Sequence, residues 1–173
     1  MKSPIPASYW IIPKQFAAGE YPGGFSEERA AAKVAALESA GIDCFIDLTS
    51  PENRLKPYNM CIRRAEYYHH PLPDFSIPRC PSDMRAVLDR IDSALGRGRI
   101  VYIHCLGGVG RTGTAVGCWL VRHGRSGKEA LAELKALFRS CSKSCLCDTP
   151  ETQEQESYIL AWADSRKPGI DPA

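Results

Sequence analysis

The chain has 173 residues, 44% hydrophobic and 24% charged, the composition of one globular domain able to bury a single core. Its 22 Lys and Arg against 20 Asp and Glu leave a formal net charge of +2, so no basic field points to nucleic acid or a membrane, and any anion must be held locally. No apolar run approaches the roughly 20 residues that cross a bilayer, and prolines break MKSPIPASYWIIPKQ where an export signal needs roughly 7 to 15 apolar residues.

A cytoplasmic protein is therefore expected, with most of its eight cysteines reduced, because disulfide frameworks mainly serve small secreted domains. Residues 1–25 read as an N-terminal extended segment, with YWIIP and QFAAGEYPGG as short strands ending at a turn. Ser26 offers a cap for a helix from Glu27 to about Ala40, stopped by Gly41. IDCFIDL, residues 42–48, is short and apolar and predicts a buried strand with Cys44 in the core. TSPENRLKPYN reads as loop, YYHHPL as a second strand and PDFSIPRCP as a Pro-rich loop.

Met84, Val87, Leu88, Ile91 and Leu95 fall on one face of a helix from about Ser82 to Leu95, ended by Gly96 and Gly98. RIVYIH is the clearest strand; HCLGGVG follows as a loop, and helical spacing resumes from Arg111 through Val116, Leu120 and Val121 to Gly124. Ser126 and Glu129 match a capping box for a helix ending near Arg139, and Thr149-Pro150 matches the start of a last helix to about Trp162. Strands separated by helices predict a single α/β domain over 1–173, a central, mostly parallel sheet flanked by helices. Sites in such sheets lie beyond the C-terminal strand ends, and Cys105 sits at one.

HCLGGVGRTG, residues 104–113, tests three chemistries. A nucleotide P-loop requires Gly where Cys105 stands and Lys where Arg111 stands. Gly108, Gly110 and Gly113 complete a dinucleotide pattern, but the strand is not early in the chain and the acid about 20 residues on, Glu133, lies within a predicted helix. His104 and Cys105 are strand neighbours projecting to opposite sides, so they do not share a metal, and His104 is not placed to activate Cys105 as a base. His104 is expected to hold the base of the loop or simply to pack.

A cysteine, five residues and an arginine opening a helix remain. His104, Cys105, Gly108, Arg111 and Thr112 resemble the signature H-C-x-x-G-x-x-R, then Ser or Thr, of cysteine-based protein phosphatases, in particular the small dual-specificity and tyrosine phosphatase-like branch. The resemblance runs from about residue 42 to 162. It implies a protein tyrosine phosphatase-like fold of dual-specificity size and a metal-independent phosphatase, without cofactor, acting on phosphotyrosine and on phosphoserine or phosphothreonine of proteins, or on a small phosphomonoester, through a cysteinyl-phosphate.

The residues suit that chemistry. Backbone N–H groups of Leu106, Gly107, Gly108, Val109 and Gly110, with the end of the following helix, can form an anion nest. Arg111 can grip two phosphate oxygens, and the positive surroundings favour Cys105 as a thiolate. The resemblance implies that the Thr112 hydroxyl steadies this thiolate as it leaves. The leaving group needs a proton, and Asp74, on the Pro-braced loop, is the candidate acid; family acids lie at a similar interval before the cysteine. Asp43, Asp47, Asp83, Asp89 and Asp92 are read as solvated charges or caps.

The family's late water-orienting segment corresponds to TPETQEQESY, where Gln155 is retained as a supporting residue with a solvated helix face as its alternative; several members carry the working Gln where this chain has Glu151. No Lys lies within the loop, which tilts the substrate toward a singly phosphorylated group, and Arg54, Lys56, Arg63, Arg64 and Arg79 are placed around the mouth or read as plain surface charge. Cys141, Cys145 and Cys147 leave a soft metal, a redox pair and free thiols open, and Cys80 is a partner to consider for oxidised Cys105. A phosphate-binding module without turnover and a sulfur-transfer or arsenate-reductase-type enzyme are the competing functions. A monomer is assumed by default.

Overall fold

The computed structural model describes residues 2–24 and 26–163; Met1, Phe25 and 164–173, the ends of the expected domain included, lie outside the described residues. The fold is α/β. β1 (Ser8–Ile12) and β2 (Phe16–Gly19) form a hairpin, followed by α1 (Glu27–Ser39), β3 (Cys44–Asp47), β4 (Glu66–His69), α2 (Pro81–Gly96), β5 (Val101–His104), α3 (Gly110–Arg122), α4 (Gly127–Phe138) and α5 (Gln153–Ala161). Short 3-10 turns stand at Pro51–Asn53, Asn59–Cys61 and Ser142–Cys145.

The sheet has the order β1-β2-β5-β3-β4. Only β1 is antiparallel to its neighbour. The N-terminal segment is thus more than an extension: β2 pairs with β5 and supplies an inner strand, a contact about 85 residues apart in sequence that no local pattern signals. In register, His104 at the end of β5 lies between Gly19 and Asp47, so the loops after β2, β3, β4 and β5 open along one edge.

Strand alternation sorts the side chains to two cores. Val101, Ile103 and Cys105 face α2 to α5 together with Cys44, Ile46 and Phe16; Tyr102 packs with Phe45, Tyr58 and the α1 residues Ala30, Val34 and Leu37. Cys44 and Cys118 are fully buried as expected, and burial pushes the Cys44 thiol up to about 12. None of the eight cysteines is disulfide-bonded.

Local signals set several boundaries. Ser26 accepts from the Arg29 N–H, Ser126 and Glu129 form the expected capping box, and Gly41 leaves α1 at φ 97°. The last helix starts later than Thr149: Thr152 caps it and Gln155 closes a capping box, while Thr149 turns its hydroxyl to the Val109 carbonyl at 2.9 Å. Nearly all of α3 is buried. Gly117 lets α5 approach so closely that a Cβ there would stand 2.4 Å from Ile159 Cδ1. Among the described residues no helix is long and apolar enough to cross a membrane.

Candidate active site

β5 delivers Cys105 to the open edge, where the chain turns through 106–109 before α3 begins at Gly110. Cys105 is 3% exposed, and the Gly108 N–H points at its Sγ over 3.3 Å. That inward amide requires Gly108 at φ 75°, a region glycine enters without strain. A Cβ at Gly108 would also lie 2.2 Å from the Gly19 carbonyl carbon, so the loop rests directly on the end of β2. Lys143 steadies it from the other side, donating to the Gly107 carbonyl at 2.9 Å while paired with Glu20 at 3.0 Å.

Arg111, on the first turn of α3, is 2% exposed. Its Nη1 donates to Asn53 Oδ1 at 2.9 Å and to the Leu72 and Leu48 carbonyls at 3.3 and 3.4 Å, which fixes the plane of the guanidinium. Nη2 stands 2.8 Å from Asp74 Oδ1 as an ion pair, yet neither Nε nor Nη2 has an aligned hydrogen bond among the described residues. This Nε/Nη2 edge is the one that two oxygens of a single phosphate can take together.

Asp74 therefore reaches the same pocket as Arg111. Its Oδ2 accepts from Asn53 Nδ2 at 2.7 Å and its Oδ1 from the Phe75 N–H at 3.2 Å. Asn53 joins acid to arginine, and sequence reading missed it because an Asn in a loop carries no signal of its own. Phe75, at φ 52° and 64% exposed, turns the chain beside the acid, and Leu106 next to Cys105 is 42% exposed.

His104 supports the loop from beneath and does not act on the cysteine. Its Nε2 meets Tyr58 Oη at 2.6 Å and its Nδ1 the Cys105 carbonyl at 3.2 Å. Burial holds the Tyr58 hydroxyl well above its usual range and lowers the His104 imidazole to about 4. The consistent arrangement is a neutral ring, with Tyr58 donating to Nε2 and Nδ1–H donating to the carbonyl.

Several expectations are corrected. Asp47 is 3% exposed rather than solvated: it accepts from the Thr49 N–H and hydroxyl and from Tyr67 Oη within 2.8 Å, anchoring the β3 loop that carries Asn53. Asp92 accepts from Trp119, Arg122 and His123. Arg63 and Arg64 lie by Glu38 and line a hollow with Gly41 and Asp43, at the opposite sheet edge from Cys105. Arg79 does flank the site, sharing with Asp74, His69 and His70 a cleft of about 710 Å³.

The Thr112 hydroxyl is buried and has no hydrogen-bond partner among the described residues, so the structure does not join it to Cys105. Gln155 is fully buried, not on a solvated face. Its Oε1 accepts from the Glu151 and Thr152 N–H groups at 3.1 and 3.2 Å, and its Nε2 donates to the Ser76 carbonyl at 3.0 Å, tying α5 to the loop that carries Asp74. Among the described residues no cluster of His, Cys, Asp and Glu is arranged to hold a metal ion, the 141–147 cysteines included.

Residues 23–125 match the family model described as a polymorphic toxin system, DSP-PTPase phosphatase. An uncharacterised protein of Methanocaldococcus jannaschii is 34% identical over 96 residues, 56% of this chain and 58% of that protein. The dual specificity protein phosphatase CDC14B of Mus musculus is 28% identical over 141 residues, 76% of this chain but 27% of its own length. The matched part of the chain thus spans little more than half, or less, of these relatives. Among solved structures, the active form of Tk-PTP superposes with a TM-score of 0.68 at 26% identity, over 90% of this chain and 94% of that one. Kinase associated phosphatase, with the fold in common, gives 0.67 at 20% identity over 83% of each. With well over half of its residues inside the family match and the signature loop folded around Cys105, the chain belongs to the DSP-PTPase phosphatases of the cysteine-based superfamily.

Proposed function

We propose that the protein hydrolyses phosphomonoesters, phosphotyrosine and also phosphoserine or phosphothreonine on proteins, without metal or other cofactor and through a cysteinyl-phosphate on Cys105. The observation that carries this reading is the convergence of three groups in one pocket: Cys105 under the Gly108 N–H, the unspent Nε/Nη2 edge of Arg111, and Asp74 2.8 Å from that edge. A phosphate seated on Arg111 and the 106–110 backbone sits over Sγ and beside the acid.

The Cys105 thiolate attacks phosphorus as the bond to the ester oxygen breaks, and Asp74 gives its proton to that oxygen. Water then attacks phosphorus, the S–P bond breaks, the thiolate returns to Cys105, and a water proton passes to the Asp74 carboxylate. Arg111 and the loop amides bind the equatorial oxygens throughout, a preorganised electrostatic environment. The exposed Phe75 ring and Leu106 beside these groups give the mouth an apolar rim, which favours an aromatic ester. The test is p-nitrophenyl phosphate hydrolysis with chelator present: wild type active, Cys105→Ser inactive and Asp74→Asn slowed by about 10² or more is the expected pattern. Activity retained in Cys105→Ser, or lost on chelation, rejects it.

A further inference from the structure

CSKSCLC, residues 141–147, has no part in the chemistry proposed above, yet it is the segment that delivers Lys143 to the loop over Cys105. The segment is held at both ends. Cys141 is buried in the larger core, and the Ser142 N–H donates to the Pro6 carbonyl at 3.0 Å. The Lys143 carbonyl accepts from the N–H groups of Leu146 and Cys147 at 2.9 and 3.2 Å and from the Cys147 thiol at 3.6 Å. From this turn the Lys143 ammonium reaches Glu20 Oε2 at 3.0 Å and the Gly107 carbonyl at 2.9 Å. Glu20 directly follows β2, and its other oxygen pairs with Lys33 of α1.

The contact with Gly107 fixes the direction of one peptide. A trans peptide is planar, with its C=O and N–H pointing opposite ways. The Gly107 carbonyl and the Gly108 N–H belong to one such unit. Lys143, by holding the oxygen outside, therefore aims the N–H at Cys105 Sγ, 3.3 Å away. The unit lies between two glycines, so no Cβ on either side restricts its rotation. Neighbouring carbonyls are held by other donors: that of Cys105 by His104, that of Leu106 by the Tyr21 N–H at 3.0 Å and that of Val109 by Thr149. For the Gly107 carbonyl, Lys143 is the sole hydrogen-bond donor among the described residues.

We propose that Lys143 is a positioning residue of the active site. By holding the Gly107 carbonyl outward it keeps the Gly108 N–H on the Cys105 sulfur, where that N–H stabilises the thiolate before attack and again as the S–P bond breaks. A charged acceptor gains more from such a donor than a neutral one. The proposal rests on the phosphatase reading above, and the two can fail separately.

The Cys105 thiolate can be read without substrate, as the ultraviolet thiolate absorbance at mildly acidic pH that is lost when each protein is compared with its own Cys105→Ser counterpart. Lys143→Met should keep the circular dichroism of wild type. Its thiolate-to-thiol ratio at Cys105 should be lower by about ten-fold or more, and its kcat/KM for p-nitrophenyl phosphate by about ten- to hundred-fold, the worth of one hydrogen bond to a charged group. Lys143→Arg, which keeps a donor, should recover most of both. The deficit should persist in about 1 M salt, where charges are screened beyond about 3 Å. If Lys143→Met loses the native dichroism, Lys143→Gln, neutral and shorter, is read in its place. Wild type without the thiolate absorbance, an unchanged ratio in the neutral variant, no recovery in Lys143→Arg, or a deficit that vanishes in salt overturns the role of Lys143. Absence of turnover in wild type, or turnover in Cys105→Ser, instead overturns the phosphatase reading and leaves the thiolate measurement standing.

Discussion

Asn53→Ala is the substitution whose consequences the structure defines most fully. The side chain accepts from Arg111 Nη1 at 2.9 Å and donates to Asp74 Oδ2 at 2.7 Å, two hydrogen bonds to charged partners, each worth about 1.5–3 kcal/mol. Arg111 keeps the carbonyls of Leu48 and Leu72, so the guanidinium stays in its slot, while Asp74 loses the contact that fixes its second oxygen. The net loss in the transition state is about 2 kcal/mol, and kcat/KM should fall about thirty-fold. Because Asp74, the acid of the proposed reaction, suffers more than Arg111, kcat should carry most of that change and inhibition by inorganic phosphate should weaken only a few-fold, about two- to three-fold. The Ser50 N–H also loses its acceptor, so thermal stability should drop by about 1 kcal/mol. Steady-state kinetics on p-nitrophenyl phosphate with phosphate as inhibitor reads both quantities. A kcat/KM within about two-fold of wild type would refute the bridging role, and a loss confined to phosphate affinity would show that Asn53 serves Arg111 alone.

Gly108→Ala combines a φ of 75° with a Cβ 2.2 Å from the Gly19 backbone, so the amide over Cys105 is displaced; at least about a hundred-fold loss of kcat is expected, checked by the same assay beside circular dichroism, and near-normal turnover would contradict the loop geometry. His104 sets a pH dependence of stability. Its folded-state value is depressed from 6.5 to about 4 by burial, so the unfolded chain binds the proton first as pH falls. The stability it contributes is present above about 6.5, is lost progressively down to about 4, and amounts to on the order of 3 kcal/mol. The lowered His70 acts in the same direction, so the comparison is with His104→Gln: urea unfolding between pH 7 and 4 should show the smaller slope in the variant, and identical slopes would show that His104 is not held neutral.

Much of this site was legible in ten residues because its chemistry is local: the glycines that free the loop, the cysteine at the strand end and the arginine on the first turn of the helix are neighbours in sequence. Strand alternation also separates His104 from Cys105 correctly. What escaped is long-range. Asn53 and Arg111 are 58 residues apart, Tyr58 and His104 are 46 apart, and Lys143 reaches Gly107 across 36. Each of these side chains is of an ordinary type in an ordinary loop; the register of β3 against β5 brings Asn53 and Tyr58 to the site, and the turn after α4 brings Lys143. Asp47 was misread for the same reason: in a short apolar strand its charge suggests solvent, whereas Tyr67 and Thr49 satisfy it inside. The inner position of β2 depends on pairing with β5, and the solvated alternative for Gln155 falls because the loop carrying Asp74 is laid against the N-terminus of α5.

The proposed reaction turns on a covalent bond between Cys105 and phosphorus, and the most direct test is to trap it. Wild-type protein mixed with p-nitrophenyl phosphate, quenched in acid within milliseconds and digested at low pH should yield a peptide carrying one phosphoryl group on Cys105. The adduct should be absent from Cys105→Ser treated in parallel. Rapid turnover with Cys105 unmodified at every quench time, or a phosphoryl group on another side chain, would contradict the account.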